Sequence, residues 1–139
     1  MPYLTPLDIE DALRSDLTIA ANLGGFSCAF GAPPTPKDLG ATLPYARIER
    51  IGGMRNSLVV DAHDVAIDVW ADDWAEAQTA ANKVVGLLCG LPYADDELDH
   101  DYLGVDINVL PYNNPDPDHQ DIPRVSFTAE VTTRAELQH

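Results

Sequence analysis

Residues 124–134 alternate without interruption. Val125, Phe127, Ala129 and Val131 occupy one side. Arg124, Ser126, Thr128, Glu130, Thr132 and Arg134 occupy the other. Successive side chains of a strand point to opposite faces, so this pattern reads as a strand with one dry face and one wet face. Such a strand cannot stand alone, because the dry face needs an apolar cover. The same alternation recurs in residues 65–70, with Val65, Ile67 and Val69 against Ala66, Asp68 and Trp70. Residues 103–110 put Leu103, Val105, Ile107 and Val109 on one side. A further strand is expected over 45–51. Gly52-Gly53-Met54-Arg55-Asn56 reads as a hairpin connection into a strand over 58–70, with an irregularity near Ala62-His63-Asp64.

The cover comes from two stretches with helical periodicity. Over 6–22, Ile9, Ala12, Leu13, Leu17, Ala20 and Ala21 form one stripe. Thr5 is the expected N-cap, with Pro6 at the first helical position, Asp8 as the capping-box acid and Gly24-Gly25 as the stop. Over 73–89, Asp72 is the expected N-cap. Trp74, Ala77, Ala81, Val84, Val85 and Leu88 make the stripe, and Gly90 and Pro92 end it. The order is α-β-β-α-β-β. That order predicts an α+β fold, a mainly antiparallel sheet with two helices packed on one face, in a single domain over 1–139. Three loops connect these elements. Loop 26–44 is long and proline-bearing, with a short strand expected within 26–30. Loop 93–101 is acidic, and loop 111–123 is proline-rich. Residues 135–139 are expected to fray.

Charge narrows the function classes. The net charge is -15, from 8 basic against 23 acidic residues. Phosphate backbones and anionic membranes are repelled by such a surface, and no basic patch is visible. No apolar run approaches the ~20 residues of a bilayer span. The first eleven residues lack the basic and apolar regions of a signal peptide. The expectation is therefore no membrane and a cytoplasmic place of manufacture. Cys28 and Cys89 form no CxxC pair and read as reduced thiols.

Catalytic chemistry finds little support. Asp116, Asp118, His119 and Asp121 cluster, as do Asp61, His63 and Asp64, but neither run has calcium-loop or zinc spacing. The first run reads as a solvated acidic loop. Neither a nucleophile elbow nor a Walker-type loop is present. The expectation is no enzyme, no cofactor and no metal. A small metal-dependent enzyme with an acidic pocket is the alternative from another class.

Binding remains. Six of the eight basic residues are arginine, which forms planar, bidentate pairs with carboxylates. Arg47, Arg50 and Arg55 cluster on and after the first strand, beside Met54 at the hairpin tip. These four, with Arg124, Arg134 and Trp70, are the candidates for a subunit or partner interface. Internal surface pairs, worth about 0–1 kcal/mol each, are the competing use of the arginines. For Trp70 the competing use is to fold over a neighbouring loop.

Three stretches carry a resemblance. They are Pro44-Tyr45-Ala46-Arg47-Ile48-Glu49-Arg50-Ile51-Gly52-Gly53; residues 64–91, where Asp68-Val69-Trp70-Ala71 leads into an Ala-rich helix; and Pro115-Asp116-Pro117-Asp118 with the strand from Pro123 to Arg134. In order and spacing the chain resembles the tail terminator (tail completion) proteins of long non-contractile-tailed bacteriophages, especially those infecting actinobacteria. The resemblance implies a structural virion protein of the tail or neck, assembled in the host cytoplasm. It implies a homo-hexameric ring that caps the tail tube, ends its polymerisation and joins the tail to the head-side connector. The implied partners are further copies of the chain, the major tail tube protein and a connector or neck protein. DNA would pass through the ring without specific binding. Asp95, Asp96, Glu97, Asp99 and Asp101 are the candidates for an acidic lumen that repels passing phosphates. Another head-tail connector or neck protein is the alternative within the same class.

Overall fold

The computed structural model describes residues 1–139. The elements in chain order are β1 (Tyr3–Thr5), α1 (Ile9–Leu23), β2 (Ala29–Gly31), β3 (Tyr45–Arg55), β4 (Val60–Trp70), α2 (Trp74–Gly90), β5 (Gly104–Asn113), β6 (Arg124–Arg134) and β7 (Glu136–Gln138). Five strands form one sheet in the order β2-β3-β4-β6-β5. Only the β2–β3 pair is parallel. The fold is the α+β arrangement expected from the patterns. Ala46, Ile48, Val65, Ile67, Val69, Val125, Phe127, Ala129 and Val131 form the dry face of the sheet. They share one core with Ile9, Leu13 and Leu17 of α1 and Ala77, Ala81, Val84 and Leu88 of α2. The alternation of β6 survives intact, because its register against β4 runs unbroken from Arg124 to Arg134.

Several boundaries move for identifiable reasons. Helix α1 begins at Ile9 and is capped by Asp8, whose carboxylate accepts the Asp11 N–H at 3.3 Å. Thr5 cannot be the cap because it belongs to β1. That strand pairs antiparallel with β7, so the C-terminal residues expected to fray are tied into a two-stranded sheet. Asp73, not Asp72, caps α2 through the Glu76 N–H at 2.8 Å. Trp74 then stands at the first helical position and is 41 % exposed, while Ala80 joins the buried stripe.

The expected hairpin connection at 52–56 is strand instead. β3 runs through Arg55, and the turn falls at 56–59. The irregularity expected in β4 lies opposite it in β3. Arg50 faces Val65, Gly52 faces Asp64, and Ile51 is left over as a bulge. Gly53 sits at φ +141°, and a Cβ there would overlap the carbonyl of Ala62. No other residue fits that close approach. Strand β5 extends to Asn113, into the region expected as a link. Two irregularities follow Ile107, so Val105 and Ile107 pack on the core while Val109 turns outward. Pro111 is tolerated because β5 is an edge strand.

Candidate interaction surfaces

The two ends of the sheet use their polar residues differently. At one end, Trp70 is fully buried, packed with Leu39 and Tyr45 and partly covered by Leu43 and Ile122. Its alternation placed it on the wet face, and it is on that face. Loops 26–44 and 111–123 fold over it, so it offers no surface to another subunit. Its indole N–H donates to Asp116 Oδ2 at 3.1 Å. The same carboxylate accepts from His119 Nδ1 at 2.9 Å and from the Asp118 N–H at 3.0 Å. Burial alone would raise the Asp116 pKa. The bonds from His119, Asp118 and Trp70 outweigh it and hold the carboxyl below its ordinary range. Asp116 is thus a buried loop anchor, not part of a solvated acidic run.

Two arginines complete this end. The guanidinium carbons of Arg47 and Arg124 lie 5.2 and 5.8 Å from the Trp70 ring centroid. Arg47 also donates to Asp68 Oδ2 at 2.6 Å and to Thr35 Oγ1 at 2.7 Å. Ser126 donates to the other oxygen of Asp68 at 2.5 Å. Arg124 donates to the carbonyl of Asn114 at 2.7 Å. Arg47 and Arg124, expected at an interface, here bind loops to their own sheet.

At the hairpin end, Arg55 forms a two-bond pair with Asp61, Nε to Oδ1 at 2.6 Å and Nη2 to Oδ2 at 2.9 Å. Those bonds hold the Asp61 carboxyl below its usual range against the effect of burial. His63 is buried, with Nε2 at 3.0 Å from Thr133 Oγ1. Burial, then the positive charge of Arg50, lowers its pKa, and Asp61 only partly offsets this. Arg50 donates its backbone N–H to Glu10 Oε2 at 2.9 Å, just past the point where β2 stops covering β3. Its side chain lines an open cleft with Pro6, Gly53, Met54 and His63. No carboxylate lies within salt-bridge distance of the Arg50 or Arg134 guanidinium. Arg134 is exposed, and Met54 is 68 % exposed.

The acidic loop is fixed from behind, and at its front Asp99 accepts from the Ser15 hydroxyl at 2.8 Å. Asp95, Asp96, Glu97, Asp99 and Asp101 are exposed. Behind them, the fully buried Asp16 accepts from the Tyr102 hydroxyl at 2.6 Å, the Asp99 N–H at 2.7 Å and His100 Nδ1 at 2.9 Å. Burial, then the bond to Asp16, pushes the Tyr102 phenol well above its ordinary value, so it stays protonated and donates to Asp16. Sequence reasoning passed over Asp16. The signal was its place on the apolar stripe of α1, between Leu13 and Leu17. A carboxylate on a dry face needs internal donors.

No three His, Cys, Asp or Glu side chains converge as a cation site. Cys28 is a free thiol whose pKa burial raises to about 12. No helix is long and apolar enough to cross a membrane.

Comparison with known proteins agrees with the architecture. No curated protein matches the sequence. A chain from the virion of a native gene transfer agent particle shares the fold, with a TM-score of 0.56 at 19 % identity, over 94 % of this chain and 98 % of that one. Residues 8–111, well over half of the sequence and reaching from the cap of α1 into β5, match the model of one family, and by that match the chain belongs to the tail completion protein gp17 family.

Proposed function

We propose that the chain is a structural tail protein of a virus particle that assembles as a hexameric ring, caps the tail tube, ends tube polymerisation and joins the tail to the head-side connector. Membership of the tail completion family carries this reading. The surface chemistry supports it. The chain combines exposed apolar side chains and unpaired arginines at one end with an exposed acidic loop elsewhere. In this reading the chain catalyses nothing. Its partners are its own copies, the tube protein and a neck protein.

The acidic loop 95–101 faces the bore in this reading. DNA entering the channel meets carboxylates rather than lysines, and like charge keeps it from sticking. The bonds from Asp99 and His100 to Asp16 keep the loop from collapsing into the passage. Particles assembled without the chain test the role directly. Electron microscopy is expected to show over-long tails, or tails unattached to heads. Tails of normal length, joined to filled heads, would falsify it.

A further inference from the structure

The strands β1 and β7 form a sheet of their own, apart from the five-stranded one. Tyr3 faces Gln138, Leu4 faces Leu137 and Thr5 faces Glu136. No residue of either strand is fully buried, and none belongs to the core. Few other bonds hold the pair. Gln138 Nε2 donates to Thr5 Oγ1 at 3.2 Å, and Arg55 Nη1 donates to the Leu4 carbonyl at 3.4 Å. Just before β7, the Ala135 N–H donates to the Val59 carbonyl at 2.8 Å. An isolated two-stranded sheet is marginal in water. This clasp stays closed because one chain carries both strands and keeps their effective concentration high.

The clasp sits at the hairpin end, among exposed apolar side chains. Tyr3 and Leu137 of the clasp are more than half exposed, as are Met54 and Leu58 of the hairpin. Charge there is of mixed sign. Arg50 and Arg134 stand with Asp64, Glu130 and Glu136, and none of them is ion-paired. Charge therefore selects no partner for this end, but strand register does. The segment that fits β1 is Glu136–Gln138, and the segment that fits β7 is Tyr3–Thr5. A second copy of the chain carries both. Exchanging an identical strand replaces each bond within a chain by the same bond between chains, so no bond is lost. The contact is head-to-tail, because each copy gives one strand and receives the other.

Resting on the ring reading above, we infer that in the assembled ring β7 of each copy pairs with β1 of the next, and that the same contact covers the apolar hairpin end. In the free subunit the two strands close on each other and occupy the contact until a neighbour replaces them. Leu7 is held in the core, so the movable arm on one side is residues 3–6. On the other side it is residues 135–138, beyond the last pair of β6 with β4. Each arm spans about 13 Å when extended. Opening them disturbs neither the five-stranded sheet nor the helices.

Disulfide trapping tests this. In a Cys28→Ser, Cys89→Ser background, Leu4→Cys and Leu137→Cys are introduced together. Directly opposed residues of antiparallel strands have Cα atoms about 4.5–5.5 Å apart, within disulfide range. Diamide treatment of the free chain is expected to close the bond within one chain. Particles assembled under reduction and then treated are expected to give a ladder of covalent multimers on a non-reducing gel. Particles built from a mixture of the two single variants are expected to give dimers and nothing larger. Chain locked by oxidation before assembly is expected to unfold no earlier than the parent, yet to stay out of particles until dithiothreitol opens the bond. Tyr3→Cys with Gln138→Cys supplies a second pair. The inference is overturned if the bond in particles stays within one chain or stops at dimers of the double variant. It is equally overturned if the locked chain enters particles as well as the reduced one. Each of these leaves the tail role standing, whereas normal attached tails in particles lacking the chain remove that role itself.

Discussion

At the Trp70 end of the sheet, Arg47 and Arg124 flank a buried ring and bond their own loops. At the hairpin end, Arg50 and Arg134 find no carboxylate, although the chain holds 23 acidic residues. Residue type does not separate the two pairs. What separates them is cover. Loops 26–44 and 111–123 fold back over the first end and turn its polar groups into an internal network. Neither loop reaches the hairpin turn, which meets the terminal segments through the Ala135 N–H on the Val59 carbonyl at 2.8 Å and leaves Leu58 exposed. A network of this kind gains strength from exclusion of water, whereas an exposed arginine such as Arg134 gains little until a partner removes the water for it. One end is closed by its own loops, and the other keeps exposed apolar side chains.

The contrast can be tested by changing one residue from each part. Trp70→Ala should have the largest effect on folding. It removes a fully buried ring and leaves Asp116, Arg47 and Arg124 without their shared neighbour, so a loss of about 3–5 kcal/mol is expected in denaturant unfolding. A loss below about 1 kcal/mol would mean that the Trp70 end is not the closed end. Acid sensitivity should be intermediate. The folded chain holds His63 below its ordinary value of 6.5, so on acidification the unfolded chain takes up a proton that the folded chain refuses. Stability therefore falls as pH drops through that value, by no more than about 1.4 kcal/mol per pH unit. Thermal unfolding of His63→Gln beside the parent, from pH 7 to 5, should show the shallower slope in the variant. Asp61 follows the same sign at lower pH: its folded pKa is also lowered, so its contribution is present above 3.8 and is lost as pH falls below that. Leu58→Ser should change folding least, within about 0.5 kcal/mol, because the side chain packs on nothing in the subunit. Its effect should appear in incorporation into particles. Unchanged incorporation would remove the hairpin end from the contact surface.

Much of the fold was legible in the alternation of β6, in the second half of β4 and in the two helical stripes. Each of these lies where local periodicity and burial agree. β5 was legible only as far as Ile107, since a bulge reverses which side chains face the core and bulges leave no mark on composition. The terminal pair β1–β7 left no mark either. Its three-residue strands are too short for a pattern, and their partners lie at opposite ends of the chain. Among the site residues, the exposure of Met54 and of the acidic loop was readable from polarity and turn chemistry. Trp70 was placed on the correct face, and of its two readings the structure shows the one in which it packs with neighbouring loops. Alternation assigns a side chain to a face, and whether loops cover that face is a separate matter.

The sequence by itself determined the α+β class, the shared dry face of sheet and helices, and the strongly acidic surface, because each depends on residue order within one segment or on a sum over the chain. Only the tertiary structure decided which arginines are used up internally and which are left free. A polar side chain's partner is chosen by distance between segments far apart in the chain, as Arg47 meets Asp68 and Trp70 meets Asp116. No local pattern encodes that distance. The folding of two loops over one end of the sheet set it.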